Sequence, residues 1–310
     1  MKNVIVTIPV SDRNRAILED AGRGCVFCYA PASELTEAAL EEADVIIGAI
    51  PPAMLARTRH LALLQLHSAG ADPYLEPGVM PSGATLCSAV GAYGRAVSEH
   101  ALAMTLALMK KLYLYRDQQH ACRWNDLGPV TSVADAVVLV VGLGDIGRTY
   151  ARSMKALGAA EVIGVKRTPA PCPDGVDELH LSTELDTLLP RADIIASFLP
   201  GSAKEIYTAE RFTLMKKTAY FINCGRGSAV SSEILLEALR SGRIAAAAID
   251  VTEIEPLPGD SPLWSEKNLL ITPHTAGYPH LADITDRIVE IAADNLRAFL
   301  REQPLRNRML

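Results

Sequence analysis

Short runs of aliphatic and β-branched residues alternate along this chain with longer stretches in which apolar positions recur every three or four residues. Residues 4–8 (V-I-V-T-I) form the first run. A stretch opening at Ser11 follows, which predicts a helix that starts after that serine and ends near Gly22, and then comes a second run over 25–29. The order is strand, helix, strand. It continues with a helix after Ser33, an apolar run at Val45–Ile47 and another over 61–66. Runs that are apolar at nearly every position predict strands covered on both faces, as in a parallel sheet flanked by helices. From 92 to about 118, Leu102, Leu106, Met109 and Leu112 predict one long helix between two sheets. A second series follows at Val137–Val141, 162–165, 194–198, Tyr220–Asn223, 245–249 and Leu269–Ile271, six further strands. The stretch 281–300 carries Ile284, Ile288, Ile291, Ala292 and Leu296 on one stripe, which predicts an amphipathic helix returning to the first series. No short fixed-period repeat is present.

Composition narrows this picture. The 310 residues suffice for two domains, and 49% apolar with 21% charged residues excludes a disordered chain. Thirty basic against 36 acidic residues leave a net charge of −6, so no overall field draws nucleic acid or anionic lipid. The stretch 101–109 is too short to span a bilayer, and the N-terminal M-K-N-V-I-V-T-I-P-V reads as a strand rather than a leader. Six scattered cysteines do not form a disulfide framework, which predicts a reducing cytoplasm. Cys25 and Cys28, in C-V-F-C, fall on a strand expected to be buried and have no second ligand pair, so no metal site is expected.

The chemistry begins where Val137–Val141 runs into G-L-G-D-I-G and then a helix-forming segment. Gly142, Gly144 and Gly147 there permit a tight turn, close approach of a pyrophosphate and tight helix packing, and the helix N-terminus favours phosphate. This predicts a dinucleotide-binding domain of Rossmann type. At the end of the next strand, where a carboxylate would bind ribose hydroxyls, stand Lys166, Arg167 and Thr168, which suit a phosphate dianion and favour NADP(H), with NAD(H) as the alternative. Downstream, F-I-N-C-G-R-G-S places Arg226 after a strand, A-I-D-V-T-E-I-E-P-L-P places Asp250, Glu253 and Glu255 after another, and L-L-I-T-P-H-T-A-G places His274 after a third. Arginine grips a carboxylate by two bonds, histidine exchanges a proton near neutral pH, and a carboxylate keeps such a histidine charged.

In order and spacing these motifs resemble the D-isomer-specific 2-hydroxyacid dehydrogenases, the formate/glycerate-dehydrogenase-like enzymes, over nearly the whole chain. L-Q-L-H-S-A-G-A-D around Gly70, A-V-S-E-H-A-L-A-M from Ala96 and Trp124 ahead of the cofactor strand add to the match. The resemblance implies two Rossmann-like, doubly wound α/β parallel-sheet domains with a cleft between them: 1–99 with 283–310 for substrate, and 100–282 for dinucleotide. It implies Arg226, Glu255 and His274 as catalytic residues, with Ser68, Ala69 and Gly70 joining Arg226 and His274 on the substrate. Cofactor contacts are implied at Gly142, Gly144, Asp145, Ile146, Gly147, Lys166, Arg167, Thr168, Leu199, Pro200, Cys224, Asp250, His274 and Gly277. Lys166 in place of the usual acidic residue, and L-P-G-S-A-K-E from Leu199, depart from the family pattern. The implied reaction is reduction of a 2-oxo acid to a D-2-hydroxy acid by a homodimer joined through the dinucleotide domains. The family also holds corepressors and dehydrogenases of phosphorylated acids such as 3-phosphoglycerate, so these stay open as alternatives. Pro51, Pro52, Tyr74, Leu75 and Tyr278 are candidates to face the substrate's side group.

Overall fold

The structure, a computed structural model, describes residues 1–278 and 280–310 and divides into two compact units, Met1–Tyr93 with Pro279–Leu310, and Gly94–Tyr278. The first unit is a five-stranded parallel sheet of β1 (Asn3–Val6), β2 (Val26–Tyr29), β3 (Val45–Ile47), β4 (Leu63–Gln65) and β5 (Thr85–Cys87), in the order β2-β1-β3-β4-β5. That is the flavodoxin-like doubly wound order. Successive strand residues point to opposite faces. Val4, Val6, Val45, Ile47 and Leu63 therefore pack with α1 (Asp12–Ala21) and the C-terminal helix Ala282–Leu300. Ile5, Ile46 and Leu64 pack on the other face with α2 (Glu37–Glu42) and α3 (Pro52–Leu55). Ser11 caps α1 by accepting from Asn14 N–H at 3.2 Å.

Several local expectations change. The α2 cap is Thr36 rather than Ser33, whose neighbourhood forms a 3₁₀ turn. β5 was not anticipated because its three residues lie among turn-forming Pro and Gly. The cysteines of C-V-F-C are not on a buried course: β2 is an edge strand, Cys28 is exposed, and Cys25 precedes the strand half-buried. Tyr74 belongs to the core of this unit, its hydroxyl donating to Ile50 O at 2.8 Å.

The second unit begins with α4 (Gly94–Met109) and α5 (Leu112–His120). They are not one helix, because Lys111 takes a left-handed backbone (φ 57°) between them. Because α4 packs along α6 (Asp145–Ala156) as part of this unit, the boundary lies at Tyr93 rather than 99; at the other end it lies at Tyr278 rather than 282. The buried stripe of α4 is Ala101, Met104, Thr105 and Leu108, while Leu102 and Leu106 are half-buried. Small residues on that stripe let α6 approach closely.

The sheet of this unit comprises β6 (Val137–Val141), β7 (Glu161–Lys166), β8 (Glu178–Leu181), β9 (Ile194–Ser197), β10 (Tyr220–Asn223), β11 (Ala246–Ile249) and β12 (Leu269–Ile271). All pairs are parallel, in the order β12-β11-β10-β9-β6-β7-β8. Helices α7 (Leu185–Leu188), α8 (Ala209–Leu214) and α9 (Ser232–Arg240) cover one face, where Leu139, Ile163, Ile195 and Phe221 converge; α4 and α6 cover the other. The chain reverses direction across the sheet between β6 and β9. In open parallel sheets that switch point, beyond the strands' C-terminal ends, is where ligands bind. No described helix is long and apolar enough to cross a membrane.

β8 was also not anticipated, being a half-exposed edge strand. It carries His180, whose ring nitrogens lie 3.0 Å from both Glu178 and Glu184, while Arg191 bridges Glu178 and Glu161. Bonds to Glu184 and then Glu178 raise the His180 pKa, and Arg191 and then His180 lower that of Glu178 to about 2. The histidine contribution is therefore fully present below its ordinary value of 6.5 and lost as pH rises through the raised value. His180→Asn should lower Tm in acid-neutral buffer and converge on wild type at alkaline pH. A Tm difference that grows with pH would contradict this.

Candidate active site

The fingerprint turn follows β6, and its three glycines are not equivalent. A Cβ on Gly142 would sit 2.7 Å from Phe198 O, and one on Gly147 would sit 2.2 Å from Gly142 O, so both are required by backbone packing. A Cβ on Gly144 would meet nothing within 4 Å. The open side of the turn is thus at Gly144, which is also the N-cap of α6 and has no side-chain cap. The first-turn amides of Asp145, Ile146 and Gly147 keep donors for an anion, and an exposed glycine lets a pyrophosphate come close. The turn fits a dinucleotide.

Neighbouring loops converge on it. Gly142 N–H donates to Val165 O at 3.0 Å, which holds the turn beside the end of β7, where Lys166 is half-buried and Arg167 and Thr168 are exposed. A Cβ on Gly225 would lie 2.6 Å from Leu199 N, so the loop after β10 lies against the loop after β9, which carries half-buried Leu199 and exposed Pro200. Cys224 is buried, its sulfur 3.9 Å from Met104 Sδ, and burial pushes its thiol pKa up. It is a packing residue with an inert thiol.

Asn223, which sequence reasoning passed over, shapes the Arg226 turn. Its Oδ1 accepts from Gly225 N–H and its Nδ2 donates to Arg226 O, both at 3.1 Å. An asparagine at a strand end is the available signal for such a turn. Gly227 is equally constrained, since a Cβ there would lie 1.9 Å from Thr252 O. That close approach brings the β11 loop, which carries the acidic motif, alongside Arg226.

Of the three carboxylates in that motif, Glu255 meets the histidine: Glu255 Oε2 lies 2.7 Å from His274 Nδ1, and Glu255 Oε1 accepts from Thr252 N–H at 3.0 Å. Glu253 instead accepts from Ser232 N–H at the start of α9. Asp250 is 2% exposed and braces the histidine loop, accepting from Thr272 Oγ1 (2.6 Å), Thr275 N–H (2.9 Å) and Ala276 N–H (3.1 Å). His274 itself has a left-handed backbone, φ 53°, a conformation that costs a non-glycine residue about 1–2 kcal/mol. Two bonds from its N–H, to Asp250 O at 2.7 Å and Thr272 O at 3.0 Å, hold it there. Gly277 lies in the turn that Tyr278 N–H closes on Thr275 O, and Tyr278 and His280 are exposed.

In the first unit, Ser68, Ala69 and Gly70 form a half-buried turn beyond β4, anchored by Ala89 N–H on Ser68 O. The Ser68 hydroxyl donates to Gly70 O at 2.6 Å. The three backbone amides donate to no acceptor among the described residues, which leaves them for an anionic ligand.

An open parallel sheet with a vacant-sided glycine turn at its switch point, and an arginine and a carboxylate-paired histidine on the same sheet edge, define a dinucleotide-dependent oxidoreductase. The D-isomer specific 2-hydroxyacid dehydrogenase NAD-binding domain matches residues 102–276. Glyoxylate/hydroxypyruvate reductase A of Photorhabdus laumondii is 30% identical over 260 residues, 81% of each chain. A D-isomer specific 2-hydroxyacid dehydrogenase family protein from Aeromonas salmonicida has a TM-score of 0.87 at 31% identity, covering 100% of this chain and 99% of that one. The NADPH-dependent glyoxylate/hydroxypyruvate reductase of Sinorhizobium meliloti, solved with NADP and sulfate, has a TM-score of 0.83 at 26% identity, covering 100% and 98%. The chain belongs to the D-isomer specific 2-hydroxyacid dehydrogenase family and is an enzyme of NAD(P) chemistry.

Proposed function

We propose that this enzyme reduces a small 2-oxo acid to the D-2-hydroxy acid, with NADPH preferred over NADH. The observation that carries the reading is the 2.7 Å pair between His274 and Glu255 on the sheet edge that also holds Arg226 and the fingerprint turn. Relatives named for glyoxylate and hydroxypyruvate support a small substrate. Gly142, Gly144, Asp145, Ile146 and Gly147 would hold the pyrophosphate, and Leu199, Pro200, Cys224, Asp250, His274 and Gly277 would border the rest of the cofactor. The nicotinamide, when bound, supplies hydride to C2 of the acceptor. Because Nδ1 of His274 faces Glu255, Nε2 is the nitrogen that delivers the proton to the developing alkoxide. Glu255 compensates the imidazolium charge, and Thr252 N–H fixes the carboxylate. Arg226 grips the substrate carboxylate and, with His274, stabilises oxyanion charge.

Lys166, Arg167 and Thr168 support the cofactor preference, since two cations and a hydroxyl favour a 2′-phosphate where no carboxylate stands. The test is oxidation of NADPH and NADH against glyoxylate, hydroxypyruvate, pyruvate and bulkier 2-oxo acids. The expected result is turnover of a small acid with kcat/KM at least about tenfold higher for NADPH, roughly 1.4 kcal/mol. Arg167→Ala should remove most of that advantage while sparing NADH. A tenfold preference for NADH would refute the basic-turn argument, and failure to reduce any acid would refute the reaction.

The enzyme is further proposed to be a homodimer joined through this unit. Leu112 is 56% and Trp124 fully exposed in the segment between α4 and β6, apolar area that a second copy would cover. Light scattering at micromolar concentration should give about twice the chain mass of 33.3 kDa. A monomer at that concentration would remove the proposal.

A further inference from the structure

His100 lies on α4, outside the residues given a part in the reaction, yet its ring reaches the loop that carries His274. His100 Nε2 is 3.0 Å from Thr272 Oγ1 and 3.7 Å from Asp250 Oδ1, and the side chain is about one-quarter exposed (26%). The Thr272 hydroxyl has one proton, and at 2.6 Å it gives that proton to Asp250 Oδ1. Toward His100 it can then only accept. The ring is therefore protonated at Nε2, and the donation runs from His100 through Thr272 to the Asp250 carboxylate. Asp250 in turn receives the amides of Thr275 and Ala276, on either side of which the loop is pinned, and its own carbonyl takes the His274 N–H.

The other contacts of α4 give this chain its purpose. Gly94, at the start of the helix, faces Asp145 of the fingerprint so closely that a Cβ would lie 2.5 Å from its carboxylate. Thr105, further along, bonds the Tyr150 hydroxyl of α6 at 2.8 Å in a fully buried contact, itself bonded back to Ala101 O. Between those two anchors to the dinucleotide-binding helix stands His100, anchored to the proton-donor loop. One rigid helix thus spans the cofactor turn and the acid.

Resting on the reaction proposed above, we infer that His100 is a positioning residue: through Thr272 and Asp250 it sets His274, held in a left-handed backbone, in register with the cofactor-binding helix. Neither His100 nor Thr272 touches the reacting atoms. Their loss should therefore displace the proton donor while leaving cofactor and substrate binding in place, and small displacements of an acid are expensive in rate.

The experiment compares wild type with His100→Leu, Thr272→Val, the double variant and His100→Gln, whose amide nitrogen restores a donor. Each is assayed for glyoxylate reduction and for NADPH binding by fluorescence. Each single loss should lower kcat about 10- to 100-fold, the scale set by misplacing a catalytic group by about an ångström, with KM and NADPH affinity nearly unchanged. The double variant should be no worse than the singles, because both break one chain. His100→Gln should recover most of the rate. Ring ¹⁵N signals of His274, assigned by their loss in His274→Gln, should be sharp in wild type and shifted or broadened in His100→Leu. Unchanged kcat in His100→Leu, multiplicative losses in the double variant, or no recovery with Gln would each overturn the assignment. If wild type reduces no 2-oxo acid, the proposed reaction fails separately, and the His274 ring signals alone decide the role of His100.

Discussion

His274→Ala should lower kcat for 2-oxo acid reduction by roughly 10²- to 10⁴-fold, the usual worth of a positioned general acid, with NADPH affinity nearly unchanged. In the proposed reaction the proton that reaches the alkoxide comes from the ring nitrogen opposite Glu255, so without the ring only water would supply it. Reduction there takes its proton from the imidazolium, and oxidation returns one to the free ring. Glu255→Gln keeps a hydrogen-bonding group beside Nδ1 but removes the charge that compensates the imidazolium, so kcat for reduction should fall while NADPH affinity holds. A folded, NADPH-binding His274→Ala enzyme with wild-type turnover would mean that another group donates the proton.

Arg226→Ala should act on both kinetic constants, raising KM for the 2-oxo acid and lowering kcat, because the role proposed for the guanidinium is to grip the substrate carboxylate in the ground state and to face the charge that grows in the transition state. Two charge-assisted bonds at about 1.5–3 kcal/mol each correspond to roughly 10²- to 10⁴-fold in kcat/KM. Arg226→Lys keeps the charge but not the planar fork, so it should recover only part of the loss. The Asn223 bonds that shape the turn and the glycines on either side are untouched by these changes, so the fold should hold. Steady-state kinetics across substrate concentrations separates the two constants. A variant with kcat/KM within twofold of wild type would remove Arg226 from the substrate.

The strands of both sheets, the glycine turn after β6 and the positions of Arg226, Glu255 and His274 after successive strands were legible in the sequence, because each is written in local periodicity or in a short motif. β5 and β8 were not, being three or four residues long among turn formers or on a half-exposed edge, where the apolar signal is weakest. The break at Lys111 was also hidden, since the three-residue spacing from Met109 to Leu112 carries across it and a backbone angle marks it. In the site, a spacing argument left three carboxylates on one loop. The family resemblance singled out Glu255, and the structure puts its carboxylate beside the ring, with Glu253 serving a helix start and Asp250 bracing the loop. The structure also distinguishes Gly144, open to a ligand, from Gly142 and Gly147, closed by backbone. The physical reason is the same in each case. A chain's own pattern of apolar and polar residues determines which faces are buried and where the turns fall, whereas partners such as His100 and Thr272, 172 residues apart, meet only once the sheet order has brought their elements together.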